Sequence, residues 1–335
     1  MKQVLTFCLL AGAALFSQSA NARVLRVGYQ GPQVAGTDYQ NLQSAVDAAT
    51  ANDTLQLYQN NYGGTATVTK RLVFVGFGYR LAQNPGLQAV PAAANTSTLS
   101  FRAGSENSVV QGISGNIYIA AENVTVSRCS GNVYLGYNTN AVHVPVTNVT
   151  VTASHIDLYG NYGAVSNAHI SNCIINVNNL SNSAGLYTNN VMIGNNPVFG
   201  AFVVKNSIFT YNATWACPTG INAIFENNLF ASSCTVTGAN NQLNVPMANV
   251  FEDWNGFTNG GSESLLALKA GSPALGFGVS GTNTPTDAGI FGGDAGLVYK
   301  PGGIPAIPSI YQLSAPQLNA TTNPYTITIS VRSNN

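Results

Sequence analysis

The sequence predicts an all-β protein, a right-handed parallel β-helix solenoid with a short N-terminal capping helix and a small C-terminal strand-rich tail. Three observations carry this. First, near-repeats run from Ser108 to Phe230: Val109-Val110-Gln111-Gly112-Ile113, Val124-Thr125-Val126-Ser127-Arg128-Cys129, Val149-Thr150-Val151-Thr152-Ala153-Ser154, Ala168-His169-Ile170-Ser171-Asn172-Cys173, Val203-Val204-Lys205-Asn206-Ser207 and Ile224-Phe225-Glu226-Asn227-Asn228. Aligned on Ile113, Cys129, Ser154, Cys173, Ser207 and Asn228, they step by 16, 25, 19, 34 and 21 residues. A unit of roughly 20 residues cannot bury its own apolar face, so neighbours must stack. Second, the repeat cores are Val, Ile, Thr and Phe, which suit a pleated, half-buried surface. Third, Asn is about one residue in eight and closes the repeats together with Gly and Ser, as turns tolerant of positive φ require. The 34-residue step contains Val191-Met192-Ile193, the mark of an extra repeat whose register the sequence leaves open.

Taken in order, residues 1–22 read as a signal peptide. Lys2 supplies the positive start, Val4 to Phe16 the short apolar stretch, and Ala20-Asn21-Ala22 the cleavage site. That stretch is too short to span a bilayer, and no later segment is apolar for long enough. Residues 23–300 form the expected β-helix. Leu42, Val46 and Ala49 recur at helical spacing, with Asp38 as N-cap, and would make a lid over the first strands. Residues 81–98, rich in Ala, Pro, Asn and Gln, read as a loop. Asn172, Asn206 and Asn227 fall just before the aligned position and are expected to form an amide ladder from repeat to repeat. Residues 252–300 are expected to finish the last repeat. In residues 301–335 a Pro-Gly linker precedes strands, with Tyr325 to Val331 alternating cleanly; edge cover is the favoured role of this tail over an attachment module.

The segment Tyr39 to Ala49 followed by Asp53 to Leu57 resembles the helix and first strand of the pectin-lyase-like superfamily of right-handed parallel β-helices. Leu266 to Gly276 and Thr286 to Gly293 resemble the closing segment of secreted β-helix proteins of Bacteroidetes. The resemblance covers most of the mature chain. It implies architecture and not an activity, because this fold hosts lyases, hydrolases, esterases and non-catalytic adhesins.

Composition narrows the partners. Twelve basic residues balance twelve acidic ones and only 7% of the chain is charged, so no basic stripe exists for nucleic acid and steering of an acidic polymer is not expected. Cys129 and Cys173 share one repeat position with Ser154 between them. Two steps of roughly 4.8 Å hold them too far apart to bond, and both read as small buried residues. Cys217 and Cys234, in the loops flanking Ile224 to Phe230, are the candidate disulfide. No Cys or His spacing suggests a metal, and no cofactor motif is present.

Catalytic candidates are sparse. Lys205 and Glu226 occupy one repeat position and read as an exposed cross-strand ion pair. His155, Asp157 and Tyr159 share a face because strand residues alternate. Glu252-Asp253-Trp254 reads as a loop anchor. The best binding feature is tyrosine: Ser114-Gly115-Asn116-Ile117-Tyr118-Ile119 and Ser130-Gly131-Asn132-Val133-Tyr134-Leu135 match, and Ile156-Asp157-Leu158-Tyr159 is a drifted third copy. Tyr118, Tyr134 and Tyr159 therefore point outward on adjacent repeats as candidate glycan contacts. The expectation is a secreted or cell-surface protein of structural, adhesive or glycan-binding role, with polysaccharide or surface glycan as partner and no assigned catalytic residue. The alternative is an extracellular polysaccharide lyase or glycoside hydrolase. A third reading is a component of a surface assembly that docks through its C-terminal strands.

Overall fold

Each repeat alternates an apolar residue with polar ones, so stacking repeats in parallel register buries one row and exposes the next. The computed structural model describes residues 22–194, 196–213, 217–220, 222–281, 284–293, 298–315 and 327–334. The predicted signal peptide lies outside them but for Ala22. Among the described residues the fold is all-β, dominated by one parallel sheet of 22 strands.

Two ladders run the length of this sheet. In the first, Val24–Val27 pairs with Thr54–Leu57, then Val73–Val75, Val109–Gln111, Thr125–Ser127 and Thr150–Thr152. It continues through His169, Leu186, Val203 and Ile224 to the strand Gly238–Ala239. Its inward row is Phe74, Val110, Val126, Val151, Ile170, Tyr187, Val204 and Phe225, all buried. The second ladder runs from Asn60–Val68 through Ala94–Phe101, Ser114–Ile119, Ser130–Leu135 and His155–Tyr159. It ends through Ile174, Val191 and Ile208 at Leu229–Phe230. The inward rows of both ladders share one continuous core. The 81–98 loop is shorter than expected, because Ala94 already pairs with Asn60.

The sharp corner between the ladders explains the asparagines. One residue per repeat is left-handed there: Gly112, Arg128, Ala153, Asn172, Asn189, Asn206, Asn227 and Asn240. Asn tolerates this region better than other side chains. The residue that follows points inward, and where it is Ser or Asn its side chain accepts a backbone N–H from the preceding repeat. Ser154 Oγ accepts from Cys129 N at 3.0 Å, Asn190 Oδ1 from Cys173 N at 2.9 Å, Ser207 Oγ from Asn190 N at 3.1 Å, and Asn228 Oδ1 from Ser207 N at 2.9 Å. Asn190 thus marks the extra repeat and divides the 34-residue step into two steps of 17. Cys129 and Cys173 hold the same position as buried free thiols, each pushed up to about 12 by burial.

The expected amide ladder of Asn172, Asn206 and Asn227 is largely replaced by another arrangement. Residues 252–300 do not close the last repeat. The described residues from 246 to 304 turn back along the flank, and the corner amides hold that strap. Asn172 Nδ2 donates to Ile290 O at 3.0 Å and Gly292 O at 2.8 Å. Asn189 donates to Asp287 O, Asn206 to Val279 O, and Asn227 to Phe277 O. True amide stacks occur elsewhere, as from Asn167 to Asn148 to Asn123.

The strap is there because the second ladder turns apolar on its outer face. Ser114, Ser130 and His155 give way at the same register position to Ile174, Val191, Ile208 and Leu229. These four are buried in a second core with Val250, Phe251, Phe257, Leu266, Ile290 and Tyr299. Further anchors include the 2.7 Å hydrogen bond between the buried Tyr79 and Tyr299 hydroxyls, and Arg128 Nη1 donating to Ile304 O at 2.8 Å.

A helix spans Leu42–Ala48, and its N-cap is Asn41, whose Oδ1 accepts from Ser44 N. Asp38, expected at that cap, instead pairs with Arg26 at 2.6 Å. The tail forms an antiparallel hairpin of Ser309–Ser314 and Thr328–Arg332; residues 316–326 between them lie outside the described residues. Among the described residues no helix is long and apolar enough to cross a membrane.

Candidate functional site

Tyr118, Tyr134 and Tyr159 are in direct cross-strand register. They point outward because their neighbours Ile117, Ile119, Val133, Leu135 and Leu158 fill the core. The glycines of the Ser-Gly-Asn motif allow the close approach. A Cβ on Gly115 would lie 1.8 Å from Thr96 O, and one on Gly131 would lie 2.3 Å from Gly115 O. Just below the tyrosines, Asn132 Nδ2 donates to Asn116 Oδ1 at 2.8 Å, and Ser130 Oγ donates to Ser114 Oγ at 2.9 Å.

The rings form a column. Tyr118 and Tyr134 stack at 4.4 Å with planes 12° apart; Tyr134 and Tyr159 stack at 4.7 Å and 14°. A second column stands beside it, Tyr137 on Tyr162 at 4.0 Å and 20°. His143 closes the group, 5.6 Å from Tyr162 and 5.8 Å from Tyr137. Tyr137, Tyr162 and His143 were not singled out from the sequence. The signal was present, since Tyr137 follows Tyr134 by three residues as Tyr162 follows Tyr159.

This geometry changes what the surface offers. Both faces of Tyr134 are covered by neighbouring rings, so a sugar cannot lie flat on it. Solvent meets ring edges and phenol hydroxyls. Burial, then the adjacent phenols Tyr118 and Tyr159, push the Tyr134 hydroxyl up to about 12. Burial and the Asp157 carboxylate raise Tyr159, and burial and Tyr137 raise Tyr162. The hydroxyls of Tyr134, Tyr159 and Tyr162 stay neutral through the physiological range, each able to donate and to accept.

The other candidates are dispersed. Lys205 Nζ lies 2.8 Å from Glu226 Oε2, an exposed pair across adjacent strands. It lines a groove of about 490 Å³ with His169, Ser171 and Thr188, in which Glu226 is the one carboxylate among the described lining residues. Glycoside hydrolysis ordinarily requires two. Asp157 stands on the other ladder beside Tyr159 and does not join them. His155 is turned toward Glu263, at 3.7 Å from Nδ1 to Oε1. Asp253 caps the helix Trp254–Thr258 by accepting from Gly256 N, the loop-anchor role expected of that cluster. Cys217 and Cys234 are joined by a disulfide. Among the described residues no group of three or more His, Cys, Asp or Glu is arranged to hold a metal ion. No protein-family model matches the chain, and no curated protein or solved structure matches it.

Proposed function

We propose that this chain is an exported right-handed parallel β-helix of the pectin-lyase-like kind, and that it binds glycan through its tyrosine columns at the cell surface or outside the cell. The observation that carries the reading is the half-exposed group of five tyrosines, three of them in register on adjacent repeats. Phenol hydroxyls at one per repeat, spaced about 4.8 Å apart, suit a chain of sugar hydroxyls, with Asn116, Asn132 and Asp157 beneath them.

The architecture has its own support. From Val109 to Ile224 the paired parallel strands step by 16 to 25 residues, as a solenoid requires. Right-handed crossover is the rule for parallel connections. The helix Leu42–Ala48 buries Leu42, Ala45 and Val46, as a lid over the first strands would. Export fits the residue 1–22 pattern and the disulfide. Among the described residues no set of acid and base converges to favour the alternative, a polysaccharide lyase or hydrolase.

The test is retention of the mature protein, from Arg23, in gels loaded with plant, algal and bacterial polysaccharides, alongside assay of released reducing or unsaturated ends. Retention without release, weakened at least tenfold by Tyr134→Ala, supports the reading. Release of ends on any polymer overturns it in favour of the enzyme, and retention unaffected by Tyr134→Ala removes the tyrosines from the site.

A further inference from the structure

The C-terminal hairpin is built inside out. Its polar row faces the body. Ser309 is buried, and Arg332, its partner in register, donates through Nη2 to Leu87 O at 2.9 Å. Ile310 O accepts from Ala89 N at 2.8 Å, which ties the hairpin's edge to the same loop. The aliphatic row faces away. Ile310 stands opposite Val331 and Leu313 opposite Ile329, and an irregularity in register between Ile310 and Gln312 keeps Ile310 and Leu313 on one side. Ile327, two residues before Ile329, leads into the row, and all five are 45–58% exposed. A two-stranded hairpin with its apolar side in water is marginal alone, and a contiguous apolar patch of a few hundred Å² marks an interaction surface.

We infer that this hairpin docks the protein on an anionic lipid surface, with the aliphatic row at the acyl boundary and Lys300 and Arg332 at the phosphates. Charge selects the occupant. From Ala295 to Asn335 the only charged residues are Lys300 and Arg332, and residues 81–91, against which the hairpin rests, hold none. A second copy seated face to face would bring like charges together, whereas anionic headgroups neutralise them. Size agrees. Five half-exposed aliphatic side chains offer well under the ~800 Å² per partner that a stable protein interface buries. Placement agrees as well. Lys300 and Arg332 line one recess of about 260 Å³ with Leu87 and Ile304, on the side of the hairpin that faces the body. With the aliphatic row sunk about 5–10 Å into the boundary, long cationic side chains on the far side of the sheet reach headgroup depth. Tyr311 stands at this rim, its ring centroid 5.5 Å from Arg332 Cζ, and tyrosine favours such interfaces. No residue of the tyrosine columns takes part, so this inference stands or falls apart from glycan binding.

The experiment is flotation of the mature chain with vesicles of phosphatidylcholine alone and of a seven-to-three mixture of phosphatidylcholine and phosphatidylglycerol. Binding to the mixture is expected to be at least fivefold stronger than to phosphatidylcholine. The Leu313→Ser, Ile329→Ser double variant is expected to weaken it at least tenfold, Lys300→Gln at least twofold, and Tyr134→Ala is expected to leave it within twofold. If the double variant does not fold, a solvatochromic dye on Leu313→Cys decides the matter. Both native free thiols are buried, so the label reports one site. Its emission is expected to shift to the blue when the anionic vesicles are added, while the same label on Leu186→Cys stays unmoved. Absence of flotation, equal flotation with both vesicles, unchanged binding in the double variant or in Lys300→Gln, or a label at position 313 that moves no more than the one at 186 overturns the proposal. A native dimer in sedimentation that the double variant abolishes also overturns it, by assigning the face to a second copy.

Discussion

Glu263, wholly excluded from solvent, lies 3.0 Å through Oε1 from Nε of Arg80. Its Oε2 accepts from Asn84 Nδ2 at 2.6 Å. The strap is thus fixed to the loop after Val73–Val75 by a charge with nowhere else to go. Burial works to raise the Glu263 carboxyl, but His155, Asn84 and Arg80 outweigh it and hold the carboxyl below its usual range.

The sign of the pH effect follows. A carboxyl whose folded pKa is depressed stabilises the fold above its unfolded value, about 4.3, and loses that contribution as pH falls through the lower folded value. Thermal melting from pH 7 to pH 3 should therefore fall more steeply for the native chain than for Glu263→Gln. At pH 7 the variant should be less stable by about 1–3 kcal/mol, since Arg80 loses its charged partner. Parallel melting curves below pH 4.5 would contradict this account of the anchor.

The corner asparagines do two separable jobs. Asn172→Gly keeps the left-handed backbone and takes the amide donor from two strap carbonyls, Gly292 O and Ile290 O, the second of which still accepts from Tyr299 N, so denaturant melting should show a loss of about 1–3 kcal/mol. Ala153, left-handed at φ 49° without a strap bond from its side chain, tests the backbone alone. Ala153→Gly should stabilise by about 0.5–1 kcal/mol. Destabilisation by Ala153→Gly would show that the corner conformation carries little strain.

The outer apolar row gives a contrast within one sheet. Ile208→Ala should cost about 2–5 kcal/mol, as a core truncation does, although Ile208 points away from the main core. Thr150→Ala, outward on a repeat whose outer face is only half-buried, should stay within about 0.5 kcal/mol. Equal effects in chemical denaturation would mean that the strap does not pack where described.

The Cys217–Cys234 disulfide closes a loop of 17 residues near the last strands. Loops of this size correspond to about 3 kcal/mol of chain restriction. Reduction should lower the melting temperature, and the Cys217→Ser, Cys234→Ser double variant should melt there whether or not reductant is present. A melting temperature insensitive to reductant would show that the bridge adds nothing.

Much of the sheet was legible because its signals are local. Apolar residues every second position, an Asn or Gly where the backbone turns left-handed, and small residues after it put Val126, Val151 and Ile170 in one row with their register. Val191 was visible as a strand, but its register needed Asn190, which looks like any other Asn until its partner Cys173 is seen. The strap was not legible, because what it covers is a pairwise property. Ile174-Ile175, Ile208-Phe209 and Leu229-Phe230 are doubled apolar residues, the pattern of a strand buried on both faces, yet nothing near them in sequence names residues 246–304 as the cover. The tyrosine register was legible from the matched Ser-Gly-Asn motifs. That the rings would cover one another was not, since stacking at 4.4 Å depends on side-chain torsions that alternation leaves free.

The proposed glycan would meet a row of phenol hydroxyls rather than ring faces. The most direct test takes a polysaccharide retained by the mature protein and compares Tyr134→Phe with Tyr134→Ala in the same affinity gels. Removing the hydroxyl alone keeps the column packed and takes away one hydrogen-bonding group, worth about 0.5–1.5 kcal/mol. Tyr134→Phe should lose at least half of the retention lost by Tyr134→Ala, in free-energy terms. Full retention in Tyr134→Phe with loss in Tyr134→Ala would contradict it and return the site to ring faces.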